Sequence, residues 1–259
     1  DIFVLLKHVP WTVSMIEIDG DGVYIKPDGI IWVINAYVVF AVEEALRMRE
    51  AHGGSVTIVS AGREKAAEAI RTALAMGADK GVLVADLALE NCDGMGTATV
   101  LAKAVKDLPH DLIIAGQRAV DDDNFLVGAA VAEKLGMPLI SMVFKEEVKD
   151  GQITCHKTVD GGSVVVEAAL PVLFTTQRGL NDPRYASLPG IMKAKKKPLD
   201  TKSLADLGVD PAAVSDPKTK VVGLKTPPER TAGRMIEGES AAEKAAALVK
   251  ALHEEAKVI

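Results

Sequence analysis

The chain has 259 residues, of which 48% are hydrophobic and 25% charged, with a formal net charge of −6 at pH 7. This composition is typical of a globular protein, and no apolar run reaches the ~18 residues that a membrane span needs. The acidic balance and the 4% aromatic content disfavour nucleic-acid binding. Two isolated cysteines, Cys92 and Cys155, argue against a disulfide framework or a thiolate metal site. They favour a reducing compartment.

Short apolar runs alternate with amphipathic stretches through the first half of the chain. We predict strands at 2–6, 56–59, 81–84, 112–114 and 139–143. We predict helices at 35–52, 63–76, 97–108 and 124–135, with the Asn35 side chain as a helix cap. Uninterrupted apolar runs suit strands that are buried on both faces. The alternation therefore predicts an α/β fold, a parallel twisted sheet with helices on both faces.

The pattern changes after residue 145. Alternating runs predict a hairpin of 152–159 with 164–168, followed by a strand at 172–175, and a shorter hairpin is predicted earlier, at 16–25. Residues 181–197 are polar, 198–228 form a long excursion, and 240–257 read as a helix. We therefore predict one domain at 1–177 and an arm at 178–259. The arm is too poor in core residues to fold alone, so we expect it to pack on another chain.

Ligands of a parallel sheet bind at the carboxyl ends of its strands, here 7–11, 60–62 and 115–124. The loop from Gly116 to Asn124 precedes a predicted helix, whose amides could hold a phosphate. Alternatively it is a solvated loop whose acids cap the helix, and spacing alone favours this reading because three aspartates repel an anion. Residues 94–99 lack the third glycine of a dinucleotide fingerprint, and 19–23 break the calcium-loop pattern. No catalytic residue and no metal site can be nominated.

A basic run lies beside apolar residues in the polar stretch that follows the domain. Lys193, Lys195, Lys196 and Lys197 could be the solvated end of a helix or a patch that steers an acidic partner. The neighbouring apolar residues are Leu188, Pro189, Ile191 and Met192. They are either a docking site or a small cluster packed on the domain, and composition does not decide between the two.

Residues 181–197, which read NDPRYASLPGIMKAKKK, resemble the recognition loop of electron-transfer flavoprotein β subunits. Further segments are similar to the same family, namely 41–45, 70–79, 157–162 with Leu170, Pro171 and Thr175 downstream, and 227–233. The likeness runs in order along nearly the whole chain. It implies a heterodimer whose α subunit holds the redox FAD and whose β subunit holds a structural AMP. The protein would be cytoplasmic in a bacterium and in the mitochondrial matrix in a eukaryote.

The resemblance also implies roles for individual residues. The implied AMP contacts are Leu5, Asn35, Ala36, Tyr37, Val38, Ala61, Gly116, Gln117, Arg118, Ala119, Val120, Asp121, Asp122, Asp123, Asn124, Phe125, Leu126 and Val127. Amides of the loop, rather than its aspartates, would then meet the phosphate. Tyr37 would lie near the flavin of the α subunit.

The implied electron path runs from acyl-CoA dehydrogenases of fatty-acid oxidation through the FAD to a membrane quinone oxidoreductase. The implied docking residues are Tyr185, Leu188, Pro189, Ile191, Met192, Lys193, Lys195, Lys196 and Lys197, with Leu188 as the anchor. No catalytic group on this chain is needed, and neither nucleic acid nor membrane insertion is expected.

Some positions depart from the family pattern. Phe125 and Leu126 replace polar residues and would remove hydrogen bonds to the nucleotide, while Ala36, Val39 and Val164 replace other common residues. One alternative is a bifurcating relative that binds a second FAD in place of AMP. Another is a stand-alone nucleotide-binding regulator on the same sheet, which predicts a stable monomer.

Overall fold

A computed structural model describes residues 1–228 and 232–259 of the protein. The chain forms two compact units, residues 1–222 and residues 223–259. The family-like segment at 227–233 therefore lies partly outside the described residues.

The first unit is built on a nine-stranded sheet. Its strands are β1 (Ile2–Leu5), β4 (Val56–Gly62), β5 (Lys80–Ala85), β6 (Leu112–Gly116), β7 (Leu139–Lys149), β8 (Gln152–Val159), β9 (Gly162–Ala169), β10 (Val172–Thr176) and β11 (Leu199–Lys202). Their order is β11-β5-β4-β1-β6-β10-β7-β8-β9. The strands from β11 to β7 pair in parallel, and β8 and β9 extend that edge as antiparallel strands. The predicted parallel sheet and the predicted hairpin are both confirmed.

Helices cover both faces of this sheet. They are α1 (Ala36–His52), α2 (Ala67–Met76), α3 (Gly94–Val105), α4 (Val127–Leu135), α5 (Leu188–Ala194) and α6 (Ala212–Ser215). Ile2 and Val4 of β1 pack in one core with α1 and α2. Phe3 and Leu5 pack in a second core with α3 and α4. Because successive side chains of a strand point to opposite faces, burial on both sides explains the uninterrupted apolar run.

The structure differs from the sequence-based elements at several ends. The helix predicted from residue 63 begins with a 3-10 turn at Glu64–Ala66, and that predicted from 124 begins at Val127. The hairpin predicted at 16–25 is reduced to a single bridge between Ile18 and Ile25. A small antiparallel sheet joins β2 (His8–Pro10) to β3 (Trp32–Ile34) instead. The Asn35 cap was wrong, because its side-chain amide bonds to a distant loop rather than to its own helix.

The first unit extends past the boundary predicted after residue 177. Strand β11 adds to the sheet edge beside β5, and Leu204, Val209 and Val214 are buried in the second core. These residues are spaced too widely for a helical or strand period, so their burial was not predicted.

Residues 223–259 form the second unit. Its helix α7 (Ala241–Lys250) is capped by Ser240, whose hydroxyl accepts the Glu243 amide at 3.2 Å. The helix continues as a π-helix at Ala251–Glu255, and none of its residues is buried. Leu248 and Val249 are exposed, so for this part of the arm predicted at 178–259 packing on another chain stays a prediction.

None of the helices in the described residues is both long and apolar enough to cross a membrane. The same residues contain no group of three histidine, cysteine or acidic side chains placed to hold a metal ion.

Candidate functional site

The strand order reverses at β1, which lies between β4 and β6 in the centre of the parallel sheet. At such a switch point the loops leaving the carboxyl ends of neighbouring strands diverge to opposite faces and open a crevice. Here the crevice lies between the loops that follow β1, β4 and β6. The fold therefore places a candidate ligand site at the edge that the strand-end argument indicated.

A cavity of about 430 Å³ fills this crevice, within the range of small-molecule sites. It is lined by most of the residues that the resemblance implied, namely Leu5, Asn35, Val38, Ala61, Gly116, Gln117, Arg118, Ala119, Asp121, Asp122, Asn124, Leu126 and Val127. The remaining five, Ala36, Tyr37, Val120, Asp123 and Phe125, do not line it. Most of the residues implied by the resemblance therefore line one cavity, while their role as ligand contacts stays a prediction.

Asn35 holds the loop of residues 116–126 against the start of α1. Its side chain is 1% exposed. The Nδ2 atom donates to the carbonyl of Arg118 at 2.8 Å, and the Oδ1 atom accepts the amide of Val120 at 3.1 Å. Gly116 permits this approach, since a Cβ there would lie 2.9 Å from the Cβ of Tyr37. The site loop is therefore fixed in place by main-chain contacts.

The aspartates of this loop are paired with cations. The Lys7 ammonium lies 2.8 Å from Asp121 and 2.9 Å from Asp122, and the Arg118 guanidinium lies 2.6 Å from Asp123. These pairs reduce the repulsion of an anion that the three carboxylates would otherwise exert. The electrostatic objection to a phosphate in this loop is correspondingly weaker than the sequence alone suggests.

Phe125 does not occupy the cavity. Its ring lies over the Arg118 guanidinium at 5.4 Å, and the Tyr37 ring lies over the same group at 5.0 Å. The Tyr37 hydroxyl also accepts a hydrogen bond from Arg118 at 2.7 Å. Phe125 and Asp123 adopt φ angles of 55° and 52°, a left-handed conformation that costs about 1–3 kcal/mol for each such residue. Backbone strain of this kind concentrates at binding loops.

The N-termini of α3 and α4 both contribute to the cavity lining, but they differ in capping. Asp93 caps α3 by accepting the Gly96 amide at 2.9 Å, and its other oxygen accepts the Lys218 amide at 2.6 Å. Hydrogen bonds from these amides hold the pKa of Asp93 below its usual value. Helix α4 instead starts after Leu126, which cannot accept a hydrogen bond through its side chain. Val127 and Gly128 of the first turn of α4 line the cavity, and a helix start of this kind has amides that can bind an anion.

Several lining residues were not among the implied contacts. They include Lys7, His8, Ser60, Gly94 and Thr97. The sequence places these residues at strand ends or at the start of α3. Gly94 and Thr97 were not assigned to the site because residues 94–99 do not match the dinucleotide-binding fingerprint. In the described part of the chain, His8 Nε2, Ser60 Oγ and Gln117 Oε1 are buried without a hydrogen-bond partner. Burial lowers the pKa of His8. Such unsatisfied atoms fit a polar ligand.

We call residues 181–197 the docking segment. Tyr185, Leu188 and Met192 are 97%, 80% and 66% exposed, and Ile191 is 43% exposed. Pro189, Lys193, Lys195 and Lys196 are exposed as well. The apolar residues thus lie on the surface beside three exposed lysines, rather than in a satellite cluster.

Lys197 is the exception in the basic run. Its ammonium donates to the carbonyls of Leu74, Gly77 and Ala78 at 3.0, 3.2 and 2.6 Å, at the end of α2. Burial lowers its pKa. Its charge is therefore directed into the fold, because it donates to carbonyls that the helix end leaves without donors.

The fold and the site together define an α/β protein with a ligand-sized cavity at the switch point of its parallel sheet. A family model, the electron transfer flavoprotein domain, matches residues 25–207. Electron transfer flavoprotein subunit beta of Bacillus subtilis is 41% identical over the full length of both chains. The subunit of the same name from Syntrophomonas wolfei is 40% identical over 92% of this chain and 90% of its own. This chain belongs to the electron transfer flavoprotein β-subunit family.

One relative carries a different name. Subunit CarD of the caffeyl-CoA reductase–Etf complex of Acetobacterium woodii is 34% identical over 98% of each chain. The family therefore includes subunits of at least two kinds of complex.

Proposed function

We propose that this chain acts in the cytoplasm, paired with an α subunit, and carries electrons from acyl-CoA dehydrogenases to a membrane quinone oxidoreductase. An FAD held mainly by the α subunit supplies the redox chemistry. This chain contributes a structural AMP site and a docking surface, and it has no catalytic site of its own. The observation that carries the proposal is the full-length identity with β subunits, together with a cavity at the switch point of the sheet.

The cavity supports AMP through its chemistry. The uncapped start of α4 offers amides to a phosphate, and Lys7 and Arg118 balance the nearby aspartates. The unsatisfied atoms of His8 and Ser60 offer polar partners elsewhere in the cavity. The nucleotide content of the denatured αβ complex tests the assignment. One FAD and one AMP per heterodimer are expected, and absence of AMP would refute the structural-nucleotide role.

The position of the phosphate can be tested at Leu126. Leu126→Asp and Leu126→Asn introduce helix caps of equal size that differ in charge. We expect Leu126→Asp to lower AMP occupancy by about tenfold relative to Leu126→Asn, because its carboxylate repels the phosphate while competing for the same amides. The AMP-to-FAD ratio of each purified complex is the measurement. Equal ratios in the two variants would show that the phosphate lies elsewhere.

A separate prediction concerns Leu188, the exposed residue implied as the anchor of the partner. We expect Leu188→Ala to slow FAD reduction by a reduced acyl-CoA dehydrogenase by about tenfold, because an apolar anchor in a partner's pocket contributes 1–2 kcal/mol or more. The FAD content should not change. Met15→Ala, which truncates a residue that is 94% exposed outside the docking segment, is the control. Unchanged coupling kinetics in Leu188→Ala would remove Leu188 from this role.

Because one relative belongs to a different complex, a caffeyl-CoA reductase–Etf complex, we consider one alternative, a bifurcating complex in which the same cavity holds a second FAD. Two FAD and no AMP per heterodimer would support this alternative. The same nucleotide measurement therefore separates the two candidates.

A further inference from the structure

The docking segment leaves the core through a stretch without regular secondary structure. Residues 181–187 connect the last parallel strand region to α5 and include Tyr185, the most exposed residue of the surface described above. A segment of this kind is ordinarily mobile, because few backbone hydrogen bonds fix it. What holds it here is a set of side-chain contacts to α1.

Asn181 makes the first contact. It is 8% exposed, and its Nδ2 atom donates to Glu44 Oε2 at 2.6 Å and to the Phe40 carbonyl at 3.0 Å. Glu44 is itself buried on α1 and lies against Glu146 of β7. The segment therefore begins at a buried polar cluster rather than at the surface.

Arg184 makes the second contact. Its Nε and Nη2 atoms donate to the two oxygens of Glu43 at 2.8 and 3.0 Å, and its amide donates to Glu43 Oε2 at 3.0 Å. Its Nη1 atom donates to Glu50 Oε1 at 2.6 Å. The Glu43 side chain is 3% exposed. Burial would raise the pKa of Glu43, but the bonds from Arg184 outweigh it and lower that pKa.

We call Asn181 and Arg184, with Glu43, Glu44 and Glu50, the N-terminal clamp. Burying two neighbouring glutamates on one helix is costly unless each is paired. Glu44 is paired with Asn181 of the docking segment, and Glu43 is paired with Arg184 of the segment as well as with Arg47 of α1. Apolar residues could be buried at these positions of α1 if the segment supplied no polar partners. The glutamates therefore indicate that this part of α1 holds the docking segment.

A second clamp holds the other end of the segment. Arg71 of α2 donates to the carbonyls of Ala194 and Lys197, each at 2.7 Å. Gly190 lets α5 lie directly on α2, because a Cβ at this position would collide with the carbonyl oxygen of Ala75. Between the two clamps, Tyr185, Leu188 and Met192 project from a segment that is fixed at both ends.

We propose that the N-terminal clamp positions the docking segment for its partner, with Arg184 and Asn181 as positioning residues. A surface held in its bound shape avoids the entropy of ordering when the partner arrives, so its affinity is higher. The proposal rests on the function proposed above, in which an acyl-CoA dehydrogenase is the partner. It predicts that loosening the clamp weakens docking without changing electron transfer in the docked complex.

The test uses the αβ complex with Arg184→Gln, and Arg47→Gln as the matched control. Arg47 also donates to Glu43, at 3.1 Å, but it belongs to α1, the same helix as Glu43. Trypsin cleavage at Lys193, Lys195 and Lys196, followed by mass spectrometry, reports how firmly the segment is held. FAD reduction at increasing concentrations of reduced acyl-CoA dehydrogenase reports the half-saturating concentration and the limiting rate.

We expect Arg184→Gln to speed cleavage and to raise the half-saturating concentration by about tenfold, with an unchanged limiting rate. Arg47→Gln should change neither. Two results would overturn the proposal. One is cleavage of Arg184→Gln at the wild-type rate. The other is faster cleavage of Arg184→Gln with an unchanged half-saturating concentration, while Leu188→Ala is impaired. An unimpaired Leu188→Ala complex would instead show that the docking function itself has failed.

Glu50→Gln gives a second variant if Arg184→Gln does not fold. Glu50 is half exposed, and its loss keeps the buried bonds between Arg184 and Glu43. A smaller shift of half-saturation in the same direction supports the proposal. No shift in this variant, with Leu188→Ala impaired, would contradict it.

Discussion

Replacing Glu146 by glutamine is expected to stabilise the protein at pH 8 by about 2 kcal/mol. Glu146 is partly buried and lies against the carboxyl of Glu44 on α1. Burial, followed by the contact with Glu44, raises the pKa of Glu146 to about 8. The shift from 4.5 corresponds to about 5 kcal/mol, and the water that reaches this partly exposed group reduces the net effect. A glutamine keeps a donor toward Glu44 and never ionises.

The sign of the pH dependence follows from this raised pKa. Between pH 4.5 and about 8 the folded protein holds a proton on Glu146 that the unfolded chain releases. The contribution of this group to stability therefore falls as the pH rises through that window, and it levels off above pH 8. In Glu146→Gln the corresponding slope should be absent.

Urea unfolding of wild type and Glu146→Gln at pH 5, 6.5 and 8 measures the effect. The two proteins should be close in stability at pH 5 and diverge toward pH 8. Glu147→Gln is the matched control, because Glu147 is the next residue of the same strand and is exposed. A constant difference across the three pH values would rule out a raised pKa of Glu146 in the folded protein.

Local periodicity predicted the parallel sheet because its strands are buried on both faces. In an alternating α/β pattern, an apolar run such as Ile2–Leu5 predicts a strand that is buried on both faces. The buried glutamates were not predictable by the same reasoning. Glu43 and Glu44 read as the polar face of an amphipathic helix, and Glu146 reads as an outward residue of an alternating strand. Glu43 and Glu44 are bonded to the distant residues Arg184 and Asn181, and Glu146 lies against Glu44.

The site shows the same limit. Strand ends and resemblance located the loop of residues 116–126, but they did not distinguish lining residues from supporting ones. The Arg118 guanidinium lies over the rings of Phe125 and Tyr37, and the Lys197 ammonium donates to a carbonyl at the end of α2. Each of these roles depends on contacts between residues far apart in the chain. A sequence pattern reports the residue type needed at a position, whereas the direction of a long side chain is set by tertiary packing.

Asn35 supports the site loop instead of capping α1 through its side chain. Asparagine before a helix ordinarily caps it, but the same side chain can bond to any main-chain group within reach. Here it bonds to Arg118 and Val120 and leaves no bond for α1. The start of α1 is therefore a support for the site loop.

We expect Asn35→Ala to lower the free energy of unfolding by about 2–4 kcal/mol and to deplete AMP from the αβ complex. The change leaves the Arg118 carbonyl and the Val120 amide without their partner, and each orphaned buried group costs about 1–3 kcal/mol. It also releases the loop that leads into the first turn of α4. FAD should remain, because its main binding site lies on the α subunit in the proposed complex.

Tyr37→Phe is the control for Asn35→Ala. It removes the other side-chain bond between α1 and this loop, that of the Tyr37 hydroxyl with Arg118. The bond is partly exposed, so we expect a loss below about 1 kcal/mol and near-normal AMP. Urea unfolding and the AMP-to-FAD ratio are measured on the wild-type, Asn35→Ala and Tyr37→Phe complexes. Retention of full AMP in a destabilised Asn35→Ala complex would mean that the nucleotide holds the loop, since binding energy would then replace the missing hydrogen bonds.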